Sequence, residues 1–174
     1  FFEKEDLSGF EIVESQDVPF EELEKFVLLG ADILPQIPDK RVIEIETGRG
    51  CKVGKCSFCT EPLKSRFVNR TMEAVVAEVK AYYDKGARMF RLGKQADFYA
   101  SDRPIEMLQK IREECKNIEV LHIDNVNPNS VVSPNGEEIT KAIVEYCTPG
   151  NIAAFGVESF DKEVVKANLL NTAP

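Results

Sequence analysis

The sequence predicts an α/β fold, a partial parallel (β/α) barrel of about four βα units. Three observations carry that expectation. β-rich runs alternate with helical segments, and those segments keep a helical apolar period. Polar and glycine residues collect just after the runs, where parallel sheets and barrels keep their chemistry. At 174 residues the chain is shorter than the roughly 250 that a closed eight-stranded barrel takes. An open or partial barrel is therefore the expected form.

Residues 1–40 read as an N-terminal extension of mixed acidic and aromatic residues. A helix is expected over 21–29, closed by Gly30 and followed by Pro35 and Pro38. The core segment, 41–174, opens with a strand over 41–47 and a long loop to Arg70. A helix follows from Thr71, with Met72, Val75, Val76, Val79 and Tyr83 on one face and Gly86 as its C-cap. The second strand spans 87–92 and gives way to a polar turn over 93–102. Pro104 then suits the first position of a helix over 104–115.

The third strand, 118–123, leads through a polar loop over 124–134 into a helix over 137–147, whose apolar offsets are Ile139, Ala142, Ile143 and Tyr146. Thr148, Pro149 and Gly150 break that helix, 151–156 reads as the fourth strand, and a last helix runs from Asp161 through Leu169. A chain that opens at Phe1 without methionine and stops at Pro174 is expected to be a fragment of something longer.

Composition narrows the function. A formal charge of -8 argues against a protein whose main work is neutralising phosphates, which takes clustered Lys and Arg. No run of about 18 apolar residues occurs, and the N-terminus lacks the basic-then-apolar order of a secretory signal, so a cytoplasmic protein with no membrane partner is expected. The five cysteines are an odd count, and three of them crowd into residues 51–59. That is a poor disulfide framework and a good metal-site pattern for a reducing compartment.

Cys51, Cys56 and Cys59 follow the first strand with the spacing C-x4-C-x2-C. Three soft thiolates on one flexible loop suit a single metal centre, and Gly48, Gly50 and Gly54 let the backbone fold tightly around it. Lys52 and Lys55 either offset the charge of an anionic cluster or are solvated loop lysines. The glycines do not make G-x-G-x-x-G, and Gly54-Lys55 precedes Cys56 rather than Ser or Thr, so neither nucleotide motif is present. A structural zinc is the competing reading, with Cys115, Cys147 or His122 as its fourth ligand. Against it, the spacing is not a usual zinc spacing, and those residues lie at helix ends or on another strand. Cys115 and Cys147 each read as a small apolar residue closing a helix, and His122 as a hydrogen-bonded core histidine.

Cys51, Cys56, Phe58 and Cys59, just after a first strand, resemble the cysteine loop of the radical S-adenosylmethionine (SAM) superfamily. The usual spacing there is C-x3-C-x2-C, so this loop has one extra residue between its first two cysteines. The resemblance implies a 4Fe-4S cluster held by the three thiolates, with one iron open to SAM. It also implies reductive cleavage of SAM to a 5′-deoxyadenosyl radical, hydrogen abstraction from a substrate, and an electron donor such as ferredoxin or flavodoxin. The phrases from Glu44 to Cys51, Leu121 to Asn125 and Gly156 to Ser159 further resemble an uncharacterised archaeal radical SAM group with a C-terminal helix-hairpin-helix region. Any nucleic-acid role would belong to that region, which this sequence does not contain.

The resemblance extends to the other strand ends. Gly93, Lys94 and Gln95 stand where the family has a Gly-Gly-Glu-like turn, with Gln95 in place of the acid; a plain surface turn is the alternative. Glu158 and Ser159 match a G-[VI]-[EQ]-S segment and become SAM contacts, unless Ser159 or Asp161 simply caps the next helix. After the third strand, Asp124, Asn125 and Asn127 either orient SAM or substrate or satisfy their loop through Asx-turns.

Overall fold

The computed structural model describes residues 18–38 and 41–170. Its central element is a parallel three-stranded sheet in which β4 (Met89–Gly93) lies between β1 (Ile43–Glu46) and β5 (Val120–Ile123). Ile45, Leu92 and Ile123 are in register across it, as are Ile43, Phe90 and Leu121. Strict alternation sends both rows to one face, where they pack under the helices. That cover consists of α3 (Met72–Asp84), α4 (Pro104–Glu114) and α6 (Gly136–Tyr146), with α3 against α4 and α4 against α6. Val75, Val79, Met107, Leu108 and Ile111 are fully buried there. The α/β class and the order of helix and strand follow the expected pattern, with the ends of the first three strands displaced by at most two residues.

The opposite face has a different character. Glu44, Arg91 and His122 are in register on it, and Arg91 forms an ion pair with Asp124 just beyond β5. His122 is half-buried, and its Nε2 has no hydrogen-bond partner among the described residues, so it is not the hydrogen-bonded core histidine expected. Parallel strands packed on both faces read as continuous apolar runs. These strands alternate instead, because only one face carries helices.

Several local elements depart from expectation. Gly30 does not end the first helix: α1 (Phe20–Gly30) continues into a 3-10 turn, Ala31–Gln36, and Gly30 keeps helical angles. Its missing side chain instead serves packing, since a Cβ there would lie 3.1 Å from the Tyr82 hydroxyl. The parts of the expected N-terminal extension at residues 1–17 and 39–40, and residues 171–174 of the core segment, lie outside the described residues. The long loop after β1 is internally built. Its ends pair as an antiparallel ladder between β2 (Gly48–Arg49) and β3 (Val68–Asn69), and a short helix α2 (Glu61–Lys64) lies between them.

The loop after β5 holds a further short strand, β6 (Asn125–Val126), and the single-turn helix α5 (Pro128–Val131), capped by the Asn127 side chain. The fourth strand is shorter than expected. Only β7 (Ala154–Phe155) pairs, in parallel with β6. Upstream, the side chains of Thr148 and Asn151 take over, accepting from the backbone N–H of Leu121 at 3.1 Å and of Ile123 at 2.6 Å. The Pro149-Gly150 turn, with φ of +87° at Gly150, prevents an earlier start to the ladder. Beyond it, Asp161 caps α7 (Lys162–Ala167) by accepting from the N–H groups of Glu163 and Val164.

One buried ion pair ties α3 to the sheet. Arg70, 4% exposed, pairs with Glu78 and donates to the Glu46 carbonyl at 2.9 Å. Burial outweighs the pull of Arg70 and holds the Glu78 carboxyl above its ordinary 4.5. The native state then binds that proton more tightly than the unfolded chain. Its contribution to stability is fullest below the ordinary value, falls as pH rises to the elevated native pKa, and is constant above it. Urea unfolding across this window is expected to show that fall in the difference between wild type and Glu78→Gln; a pH-independent difference would contradict it.

Candidate metal and cofactor site

Because β1, β4 and β5 run parallel, their C-terminal ends share one edge, and β7 ends on the same side through β6. From that edge emerge the cysteine loop, the Gly93-Lys94-Gln95 turn, the segment 124–127 and the segment 156–159. Open parallel sheets bind ligands there because loops from neighbouring strands converge.

The cysteine loop is bent by two left-handed glycines, Gly50 with φ of +69° and Gly54 with φ of +55°. A Cβ on Gly50 would lie 2.7 Å from the backbone of Arg66 and of Ser65, so this turn admits glycine alone. Cys51, Cys56 and Cys59 are free and half-buried, and the Cys59 N–H donates to the Cys56 carbonyl at 3.1 Å. Among the described residues no three His, Cys, Asp or Glu side chains form a group that could hold a metal ion, so the expected convergence of the three sulfurs is not present. Ligand thiols must lose their protons to bind, and their ordering is coupled to the metal. The donor chemistry nonetheless suits an iron–sulfur centre: three soft, unoxidised sulfurs on one glycine-bent loop.

The zinc alternative gains nothing from Cys115 or Cys147. Cys115 is fully buried in the core below α4, and Cys147 packs against that core at the end of α6. Burial pushes each thiol up to about 11.

A cleft of about 420 Å³ opens beside the loop. It is lined by Glu61 just past Cys59, by Lys94 and Gln95, by Asn125 and Asn127, and by Ala154 and Gly156. Gln95 is its most informative residue. It is 5% exposed, its Nε2 donates to the Leu92 carbonyl at 3.3 Å, and its Oε1 has no partner among the described residues. A buried acceptor left without a donor costs about 1–3 kcal/mol, so it marks a place where a ligand donor belongs. Lys94 beside it is exposed and holds a left-handed φ of +62°, unusual outside glycine and concentrated at functional turns. Asn125 donates to the Gln95 carbonyl at 2.9 Å, fixing the turn from across the cleft.

Of the other expected contacts, Asn127 lines this cleft but its side chain makes the Asx-turn that caps α5. The rest do not line it, and Asp124 is engaged with Arg91. Gly93 sits at the end of β4 with the Glu44 carboxylate against it, so close that a Cβ would meet Oε1 at 2.6 Å. Phe58 is 60% exposed. Glu158 is exposed, and Ser159 accepts from the Asp161 N–H at 3.1 Å, which supports the helix start. A second cleft, of about 310 Å³, adjoins Cys51 and shares Asn127; its carboxylate, Asp97, accepts from the N–H groups of Tyr99 and Asn127 and from the Ser130 hydroxyl. Sequence reasoning passed over the row Glu44, Arg91 and His122, although the alternation Ile43-Glu44-Ile45-Glu46 is its visible signal.

The sequence model of the Radical SAM superfamily matches residues 45–171. The chain belongs to that superfamily. It is 44% identical over 168 residues to an uncharacterized protein of Archaeoglobus fulgidus, covering 87% of this chain and 32% of the relative. It is 38% identical over 177 residues to an uncharacterized protein of Methanocaldococcus jannaschii, covering 89% of this chain and 33% of that one. The chain thus spans about a third of the length of the curated relatives it matches. Among solved structures, its fold is similar to that of TsrM, a radical S-adenosylmethionine methyltransferase from Kitasatospora setae bound to tryptophan and a SAM analogue. The TM-score is 0.55 at 22% identity, over 71% of this chain and 23% of TsrM. Among the described residues no helix is long and apolar enough to cross a membrane.

The contrast between loop and core thiols has a direct readout. In the folded, metal-free protein, iodoacetamide is expected to label Cys51, Cys56 and Cys59 well before Cys115 and Cys147, followed by peptide mass spectrometry. Equal rates at all five would show that burial does not protect the two core thiols.

Proposed function

We propose that this chain is the cofactor-binding core of a radical SAM enzyme, with Cys51, Cys56 and Cys59 as the ligands of a 4Fe-4S cluster and the adjoining cleft as the SAM site. The observation that carries the reading is the buried, unpartnered Oε1 of Gln95, a residue lining the cleft that Glu61, just past Cys59, also borders. Bound there, cluster and SAM supply the chemistry common to the superfamily, reductive cleavage of SAM to a 5′-deoxyadenosyl radical that takes hydrogen from a substrate.

The chain's own residues have simpler tasks. The three thiolates bind iron and leave one coordination position for SAM. Gly50 and Gly54 supply the bends the loop needs to turn its sulfurs together. Gln95 Oε1 accepts a hydrogen bond from a donor group on SAM, in the position where the family's acid stands, and Asn125 keeps the Gln95 backbone in place. The reducing electron comes from a protein donor such as ferredoxin or flavodoxin.

Iron, acid-labile sulfide and zinc measured on anaerobically reconstituted protein test the reading. About four irons and four sulfides per chain are expected, the stoichiometry of a cubane cluster. Cys51→Ala, Cys56→Ala and Cys59→Ala are each expected to lose it, while Cys147→Ser keeps it; stoichiometric zinc without sulfide would overturn the assignment. On the loaded protein, Gln95→Leu is expected to weaken SAM binding about tenfold, roughly 1.4 kcal/mol, by equilibrium dialysis. Unchanged affinity would remove Gln95 from the site.

A further inference from the structure

The two ends of the cysteine loop pair with each other through a ladder of only two residue pairs, Gly48 with Asn69 and Arg49 with Val68, separate from the central sheet. Two such strands are not stable by themselves. What holds them is a pair of arginines, one at each end of the loop. Arg70 donates its backbone N–H to the Thr47 carbonyl at 3.0 Å and its Nη1 to the Glu46 carbonyl at 2.9 Å, which closes the loop at its root. Arg49 makes a two-pronged contact with Glu46, at 2.8 and 3.0 Å, two residues before Cys51.

Both guanidinium groups meet on one aromatic ring. Phe20, buried at the first position of α1, lies 4.5 Å from the Arg49 guanidinium carbon and 5.8 Å from that of Arg70. The same segment adds polar contacts: the Val18 carbonyl accepts from Arg49 Nη1 at 3.0 Å, and Glu24 of α1 stands 3.8 Å from Arg70 Nε. A cation held over an aromatic face gains more when water is excluded, and Arg70 and Phe20 are both buried.

We propose that Phe20, Arg49 and Arg70 are positioning residues for the cluster loop, and that the helix α1 serves as its buttress by holding the Phe20 ring against both arginines. The proposal rests on the assignment of Cys51, Cys56 and Cys59 as cluster ligands, and gives the N-terminal segment a function that its sequence does not disclose. None of the three lines either cleft beside the cysteine loop. They act through the backbone that carries Cys51, as groups that orient ligands do in other metal sites.

Two variants and one control test it. Phe20→Leu keeps apolar bulk and removes the ring; Arg70→Lys keeps the charge and removes the guanidinium whose Nη1 donates to both the Glu46 carbonyl and Glu78. Leu108→Ala, in the core at α4 and away from the loop, lowers global stability alone. On metal-free protein, hydrogen exchange over residues 48–69 is expected to accelerate in Phe20→Leu and Arg70→Lys and to stay at the wild-type rate in Leu108→Ala. On reconstituted protein, iron loss to a chelator is expected to be about 10- to 100-fold faster in the two loop variants. Should loop exchange and iron loss simply follow melting temperature across all three variants, the positioning role is overturned. Should the wild type take up no iron, the cluster assignment fails, while the exchange experiment still decides whether Phe20 and Arg70 brace the loop.

Discussion

Because β4 pairs in parallel with β1 on one side and β5 on the other, all three strands deliver the chain to the same edge, and every candidate group is carried there by a different loop. The pairing depends in turn on one apolar face. Phe90 and Leu92 are flanked in register by Ile43 and Ile45 and by Leu121 and Ile123, and α3, α4 and α6 close over them. A one-residue slip of any strand would exchange its apolar row for its polar one, so burial fixes register and register places the loops.

Much of this architecture was legible because it repeats. The offsets Met72, Val75, Val76 and Val79 and the stop at Gly86 announce α3 without help from the rest of the fold. What escaped was short or borrowed. Two-residue strands such as β2, β3 and β6 have no period to detect, and the fourth strand loses its first half because Thr148 and Asn151 pair through side chains. Gly30 looked like a stop and is a packing residue against Tyr82.

The site divides along the same line. Local spacing named the cysteines, and the position of Gln95 after the second strand pointed to the cleft it lines. Whether Asp124, Asn127 and Ser159 face a ligand or their own backbone is a matter of tertiary geometry, and here Arg91, the start of α5 and the Asp161 N–H take them up. The polar row Glu44, Arg91 and His122 is visible in the sequence as alternation alone, and only the register across the three strands brings its members together.

The bare face of the sheet has a consequence for how copies of this chain meet one another. An uncovered apolar face would act as an adhesive, and two molecules would bury it together at first encounter. Here a second copy would have to strip water from Glu44 and from the Arg91–Asp124 pair with nothing to replace it, a loss that apolar contact elsewhere on the face does not offset. Self-association through the side of the sheet without helices is thus disfavoured by the cost of desolvating its polar groups.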